Sequence, residues 1–290
     1  MNISLALGGG GAKGNSHIGV IRCLEKEGYT IQAVAGTSFG GIVAVFYAAG
    51  YSAVEIEDLF SEVEQKSLYG YSPDQGPSLL GLAGAAKWFR DIFDERTFAD
   101  LKLPCALTAV DLKSGREIIL SEGRLVDALL ATIAVPGALP HVTMGDLELV
   151  DGGVLNPVPV SVARSLAPKL PVVAVVLTEP LGMPARTWSV PMPNLIPRAI
   201  VDRISRLSYA QALDVFVRSM DIVDRALAEY RLMVDKPEFI VRPGVAHIDT
   251  FTEVDVRAVA LLGEQATGLI LPEMKQYFSW QKRFRRAIRI

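Results

Sequence analysis

A serine flanked by two glycines is the part of this chain best suited to covalent chemistry. The stretch reads Gly36-Thr37-Ser38-Phe39-Gly40, so a glycine stands two residues before and two residues after the serine. This spacing is typical of a sharp strand-to-helix turn, where the missing Cβ atoms admit strained backbone and the hydroxyl projects outward. The sequence therefore predicts that Ser38 is a nucleophile at such a turn.

A glycine-rich run lies shortly before this serine. It follows the apolar segment Ile3–Leu7 and reads Gly8-Gly9-Gly10-Gly11-Ala12-Lys13-Gly14. A loop of this kind at the mouth of a strand can turn unpaired backbone N–H groups toward an oxyanion. The loop and Ser38 together therefore predict an acyl-transfer site.

The glycine run has other possible uses, which the residues around it disfavour. A nucleotide-binding P-loop needs a glycine directly before its lysine, but Ala12 precedes Lys13. A dinucleotide fingerprint fits the letters from Gly9 to Gly14. It also needs an acidic residue about 20 positions later, where this chain has Gly36 and the serine turn. A purely structural glycine loop is the remaining alternative, and the nearby serine turn favours the acyl-transfer site over it.

A serine nucleophile needs a base, and the chain has three histidines, His17, His141 and His247. The order Ser38, Asp151, His247 would suit the triad of an α/β-hydrolase. That fold, however, places its nucleophile after several strands, whereas Ser38 follows the second predicted strand. We expect His247 in a polar surface turn and His17 in helix packing or capping.

Asp151 is the best candidate for the base. It ends the apolar strand 147–150, and the following Gly152-Gly153 allows the backbone to turn tightly beside another element. A carboxylate held in a desolvated site becomes more basic and can accept the serine proton itself.

Three motifs in this order and spacing resemble the patatin-like phospholipase family, in particular its bacterial branch. They are Gly9–Gly14, Gly36–Gly40 and Asp151–Gly153. The resemblance covers about residues 3 to 178 and includes Ala131–Gly137 and Asn156–Val160. It implies a single three-layer α/β domain with a parallel-rich central sheet flanked by helices.

The resemblance also implies a Ser–Asp dyad that hydrolyses acyl esters of lipids, such as phospholipids, without histidine. Ser38 would be the nucleophile, Asp151 the general base, and the backbone of Gly9, Gly10 and Gly11 the oxyanion hole. The supporting motif residues would be Lys13, Gly14, Gly36, Gly40, Gly152 and Gly153. Acyl transfer, thioester hydrolysis, and a regulatory or adaptor protein that keeps the fold are the alternatives. Neither a metal nor a cofactor is expected.

The remaining pattern predicts alternating strands and helices followed by a helical C-terminal part. The predicted strands are 3–7, 31–35, 105–112, 117–120, 147–150, 172–177 and 238–242, and the main predicted helices are 39–49, 52–66, 79–93, 125–135, 198–234 and 253–290. Alternating βα units favour one α/β domain with a parallel sheet. We divide it into a catalytic core, 1–178, a proline-rich loop or lid, 179–198, and a helical part, 199–290, packed on the same domain.

Composition limits the compartment and the partners. Half of the 290 residues are apolar and the net charge is −3, which argues against a nucleic-acid partner. Cys23 and Cys105 have no disulfide or zinc spacing, and no charged n-region opens the chain, so we expect a cytoplasmic protein without a cleaved signal peptide. Residues 28–54 carry no charge, but the glycines among them favour a buried strand, turn and helix over a membrane span.

Two segments predict peripheral contact with the inner membrane face. The last residues combine five cations with aromatic and apolar side chains: Lys282, Arg283, Arg285, Arg286 and Arg289 with Tyr277, Trp280, Phe284 and Ile288. A basic amphipathic helix suits an anionic membrane surface, although its apolar side could instead pack on the domain. The loop from Met183 to Ile196 is a second candidate, as a lid or a membrane-facing patch. The sequence leaves the oligomeric state open.

Overall fold

The computed structural model of the chain describes residues 1–70, 78, 80–182 and 208–288. Within them, the strands are β1 Asn2–Leu7, β2 Thr30–Thr37, β3 Cys105–Asp111, β4 Arg116–Leu120, β5 Val142–Met144, β6 Leu147–Asp151, β7 Val172–Val175 and β8 Phe239–Val241. The helices are α1 Ser16–Lys26, α2 Phe39–Ala48, α3 Ala53–Glu62, α4 Ala83–Phe93, α5 Leu125–Thr132, α6 Val160–Leu166, α7 Ser208–Asp235 and α8 Val256–Ile288. Short 3₁₀ turns include Gly11–Asn15, Gln65–Tyr69 and Gly152–Val154.

The strands form one mixed sheet in the order β5-β6-β3-β2-β1-β7-β8, with β4 also paired to β3. Neighbours from β3 through β2, β1 and β7 to β8 are parallel, whereas β4 and β6 run antiparallel to β3. The prediction of an α/β fold with a parallel-rich sheet is confirmed. Because parallel strands end at the same edge, β1 and β2 place the glycine loop and the serine turn side by side.

Side chains alternate between the two faces of the sheet, and each face has its own apolar core. Leu5, Leu7 and Val173 pack with helices α1, α2 and α8 on one face. Ala6 and Ala174, which neighbour these residues along β1 and β7, pack with α6 and α7 on the other face. The period of two along each strand therefore separates the helices into two outer layers, which confirms the three-layer arrangement.

The uncharged segment 28–54 folds into β2, the serine turn and α2, as predicted. No helix among the described residues is both long and apolar enough to cross a membrane. The strand β5 was not predicted, because three residues are too few to show alternation. The side chains of residues 281–290 and all of residues 183–207 lie outside the description, so both membrane-contact predictions stay predictions.

Candidate active site

Ser38 occupies the sharp turn between β2 and α2. Its backbone has φ of 55° and ψ of −129°, a positive φ that residues with a Cβ rarely adopt. The flanking glycines allow this turn, because a Cβ on Gly36 would meet the backbone of Gly40, and one on Gly40 would meet the carbonyl oxygen of Leu7. The α2 N-terminus can therefore approach the ends of β1 and β2 closely, and strain of this kind is typical of functional sites.

A buried threonine holds the backbone of the nucleophile. The Ser38 N–H donates to Thr132 Oγ1 at 2.9 Å, and the Thr132 hydroxyl donates to the carbonyl oxygen of Thr108 at 2.8 Å. Beside it, the Thr37 hydroxyl donates to the carbonyl oxygen of Asn156 at 2.8 Å and lies 2.7 Å from the Thr108 hydroxyl. The serine turn is thus bonded to β3, to α5 and to the chain after Asp151. Thr37, Thr132 and Asn156 lie in stretches that carry the family resemblance, but sequence reasoning assigned none of them, nor Thr108, this structural role.

Strand register brings Asp151 to the serine. Thr37 of β2 pairs with Thr108 of β3, and the next residue of β3, Ala109, pairs with Asp151 at the end of β6. Two strand spacings of about 4.8 Å therefore separate the backbones, a gap that side chains can bridge. Gly152 is required here, because a Cβ at this position would collide with Thr108.

The Asp151 carboxyl is buried and basic. Only 5% of the residue is exposed, and burial raises its pKa to about 7. Hydrogen bonds from the Ser38 hydroxyl and from the Gly153 N–H partly offset this rise in the pKa, and the Gly153 nitrogen is 2.8 Å from Asp151 Oδ1. The negative charge of Asp224 raises the pKa further. A carboxylate with a pKa near neutral and a serine hydroxyl beside it can act as a general base.

The three glycines predicted as oxyanion donors differ in their backbone hydrogen bonding. The Gly8 N–H donates to the Val175 carbonyl oxygen at 3.0 Å, and the Gly9 N–H donates to the Pro157 carbonyl oxygen at 2.9 Å. The Gly9 N–H is therefore engaged, which corrects the predicted set of oxyanion donors. Within the described chain, the N–H groups of Gly10 and Gly11 have no hydrogen-bond acceptor.

The loop is fixed by the helix after it and by the C-terminal part. Gly11 has φ of +57°, and a Cβ there would collide with Thr250, whose carbonyl oxygen accepts from the Ala12 N–H at 2.9 Å. His17 Nε2 lies 2.8 Å from the Gly8 carbonyl oxygen and must donate, because a carbonyl oxygen only accepts.

None of the three histidines is placed as a base. His17 is fully buried, and burial lowers its pKa to about 4, so it is neutral at pH 7. Its ring instead holds the glycine loop through the hydrogen bond to Gly8. His141 and His247 are exposed, and neither makes a hydrogen bond among the described residues. The predicted surface position of His247 is confirmed, and this position does not support the alternative triad.

A second carboxylate, partly buried, lies near the site on α7, and sequence reasoning did not identify it. Burial raises the pKa of Asp224 to about 6, and the positive charge of the buried Lys13 opposes this rise. The same Asp224 raises the pKa of Asp151. Lys13, the basic residue of the glycine motif, therefore lies among the charges around the dyad. No sequence motif surrounds Asp224, so no signal pointed to it.

An apolar cavity of about 630 Å³ opens at Ser38. This volume is within the usual range for one small-molecule ligand. Its wall combines aliphatic and aromatic side chains from α2, α3, α4 with the residue before it, the segment after α5, and residues 250–256 (the 250s). The main ones are Phe39, Ile42, Phe60, Leu82, Trp88, Ile133, Leu139, Phe251 and Val256. An acyl chain attached to a carbonyl at Ser38 would find apolar surface along this cavity.

Contacts between distant segments close one side of the cavity. Gln65 binds the backbone of Val254 twice, donating to its oxygen at 2.8 Å and accepting from its N–H at 3.0 Å. Lys66 forms an ion pair of 2.8 Å with Glu253 beside this clamp. Gln65 and Val254 are 189 residues apart in the sequence. The contribution of the 250s to the cavity therefore could not be predicted from short motifs. Among the described residues, no cluster of His, Cys, Asp or Glu could hold a metal ion.

The fold and the site define a class, an α/β protein with a serine on a strained turn facing a buried aspartate. The family model of patatin-like phospholipases matches residues 5–164, more than half of the chain, and the chain belongs to this family. This span contains the glycine loop, Ser38 and Asp151. It ends before α7 and the 250s, which complete the site in three dimensions.

The chain is also similar to curated proteins in sequence and to a solved structure in fold. The chain is similar to an uncharacterized NTE family protein of Mycobacterium tuberculosis, 37% identical over 163 residues, or 55% of this chain and 44% of that protein. It is also similar to human patatin-like phospholipase domain-containing protein 6, 32% identical over 175 residues, or 58% of this chain and 13% of that protein. The crystal structure of VipD from Legionella pneumophila shares the fold with a TM-score of 0.57 at 12% identity, covering 94% of this chain and 66% of VipD. The chain thus spans less than half the length of these curated relatives.

Proposed function

We propose that this chain is a serine hydrolase of lipid acyl esters that uses a Ser38–Asp151 dyad. One observation carries the proposal: a serine on a strained turn faces a buried carboxylate of near-neutral pKa at the mouth of an apolar cavity. The family match supports lipid esters as the substrate class. The intact dyad residues favour an enzyme over an adaptor that keeps the fold.

Acylation begins with proton transfer from Ser38 to Asp151. The serine oxygen attacks the ester carbonyl carbon while the Asp151 carboxylate takes the hydroxyl proton. The carbonyl oxygen becomes the negative oxygen of a tetrahedral intermediate, for which the N–H groups of Gly10 and Gly11 are the available donors. Collapse of the intermediate breaks the ester C–O bond, and the leaving alcohol receives the proton from Asp151.

Deacylation repeats these steps with water. Asp151 takes a proton from water as the water oxygen attacks the acyl-serine carbonyl, and the fatty acid leaves when Ser38 regains its proton. Asp151 must be ionised at the start of each half-reaction. A pKa of about 7 therefore means that activity rises with pH through neutrality and levels off above it.

Hydrolysis of p-nitrophenyl esters of increasing chain length tests the proposal. We expect kcat/KM to rise with acyl length as the cavity wall is covered, at roughly 0.8 kcal/mol per buried methylene in the ideal case. Asp151→Asn should reduce kcat by about 10³-fold or more, as the loss of a catalytic base does in serine hydrolases. The exposed His247→Ala should keep full activity. Loss of activity in folded His247→Ala would replace the dyad by a triad.

A further inference from the structure

The helix α7 exposes many apolar side chains, which is unusual for a helix on the surface of a globular domain. Such a helix normally turns its apolar stripe to the core and its charges to water. Here seven large apolar side chains between residues 215 and 234 are exposed: Val215, Met220, Ile222, Val223, Tyr230, Met233 and Val234. Sixteen large apolar side chains are exposed across the described residues, so nearly half of them lie on this one stretch.

The exposed apolar residues form one continuous face. At about 100° per residue, they fall within roughly 160° of the helix circumference, along with Ser219 and Ala226. The charged residues of the same stretch occupy the remaining arc: Arg218, Asp221, Asp224, Arg225, Glu229 and Arg231. We call the seven side chains the α7 outer face. It is about 30 Å long and carries no charge, and uncharged patches of this size mark interaction surfaces.

The opposite side of α7 is anchored, so the helix cannot roll to bury its apolar face. Glu229 of α7 forms an ion pair of 2.6 Å with Arg242, which follows β8. Arg231 Nε, also in α7, donates to the carbonyl oxygen of Leu155 at 3.0 Å. Ala228 and Leu232 fill the core beneath the helix. The inner side therefore already has its partners.

The side of α7 that packs on the domain faces the active-site region. Asp224 belongs to the charges around Lys13 and Asp151, and Arg231 binds the chain four residues after Asp151. The α7 outer face therefore belongs to the same helix that carries Asp224 and Arg231 toward the active site.

We infer that the α7 outer face docks on a lipid surface through its uncharged apolar side chains. The choice of a lipid surface as the partner rests on the proposed function, because the lipid substrates of such a hydrolase are present in aggregates such as membranes. The composition favours a bilayer: the face has no charge to pair with a polar partner, and Tyr230, with an apolar ring and a polar tip, suits the membrane interface. Docking there would bring the site to the lipid. Binding of this kind does not require anionic lipid.

Vesicle flotation with ether-linked phosphatidylcholine tests this inference independently of catalysis, because these lipids have no acyl ester to cleave. The test variant is Val223→Glu combined with Tyr230→Glu. The matched control is Leu261→Glu combined with Leu269→Glu, two exposed residues of α8, which packs on the other face of the sheet. We expect the α7 variant to lose at least about tenfold in vesicle partitioning, as expected for two apolar anchors removed, and the control to bind like the unmodified chain. Partitioning should change little with salt.

Hydrolysis of a short soluble ester by each variant shows that the fold is intact and tests the proposed function separately. Equal vesicle binding by all three chains would overturn the inference, as would failure of the unmodified chain to bind. Light scattering without lipid covers the alternative occupant, a second copy of the chain. A dimer that the α7 variant converts to a monomer would assign the face to self-association and overturn the lipid assignment.

Discussion

Replacing Asp151 by asparagine should abolish turnover and yet stabilise the protein above neutral pH. The carboxyl is 5% exposed and its pKa is about 7 in the fold, compared with about 3.9 in an unfolded chain. Because the folded pKa is the higher one, the folded state binds more protons than the unfolded state between these values. The free energy of unfolding therefore falls as pH rises from 4 to 7, and this contribution is fully lost above pH 7.

Asparagine does not titrate, so the comparison of the two chains isolates this effect. Linkage gives a gain of about 3 kcal/mol for Asp151→Asn, relative to the unmodified chain, between pH 4.5 and pH 8. Urea unfolding of both chains at the two pH values measures the gain, and ester hydrolysis at pH 8 measures the accompanying loss of activity. A stability difference that is the same at both pH values would refute the account of a strongly desolvated carboxyl.

Three further substitutions, with Gly28→Ala as a control, test the surroundings of the dyad. Thr132→Val removes both of its hydroxyl bonds, so we expect about 1–3 kcal/mol less stability in urea and lower kcat in the ester assay. Gly11→Ala forces a Cβ into a positive-φ position against Thr250 and should lower kcat by about 10²-fold. Gly28→Ala, at a φ of +80° with open space around it, should lower stability alone. Asp224→Asn removes a negative charge near the catalytic aspartate, so the acid limb of the kcat/KM profile should move to lower pH; an unchanged profile would contradict the coupling.

The parts of the site that the sequence predicts are those written in short motifs. Gly36 and Gly40 mark the serine turn because a close backbone approach admits no Cβ, and the pattern is visible within five residues. Asp151 could be proposed because an apolar strand ends there and glycines follow. The order of strands and helices followed from the alternation of apolar runs and breakers.

The rest depends on contacts that no local pattern encodes. Thr132 meets the Ser38 N–H across 94 residues, and Gln65 meets Val254 across 189. Each pair is brought together by the register of the strands and the packing of the helices. The residue types alone therefore do not predict these contacts. The glycine run likewise does not reveal that the N–H of Gly9 is used by Pro157. Asp224 was missed because its place opposite Lys13 follows from the way α7 packs.

Labelling with a fluorophosphonate tests the central claim most directly, because the reagent reacts with an activated serine. The chain should take up one label, and peptide mass spectrometry should place it on Ser38. Ser38→Ala should lose the label while keeping its unfolding midpoint, and Asp151→Asn should label far more slowly. A label on another residue, or undiminished labelling of Ser38→Ala, would contradict the assignment of Ser38 as the nucleophile.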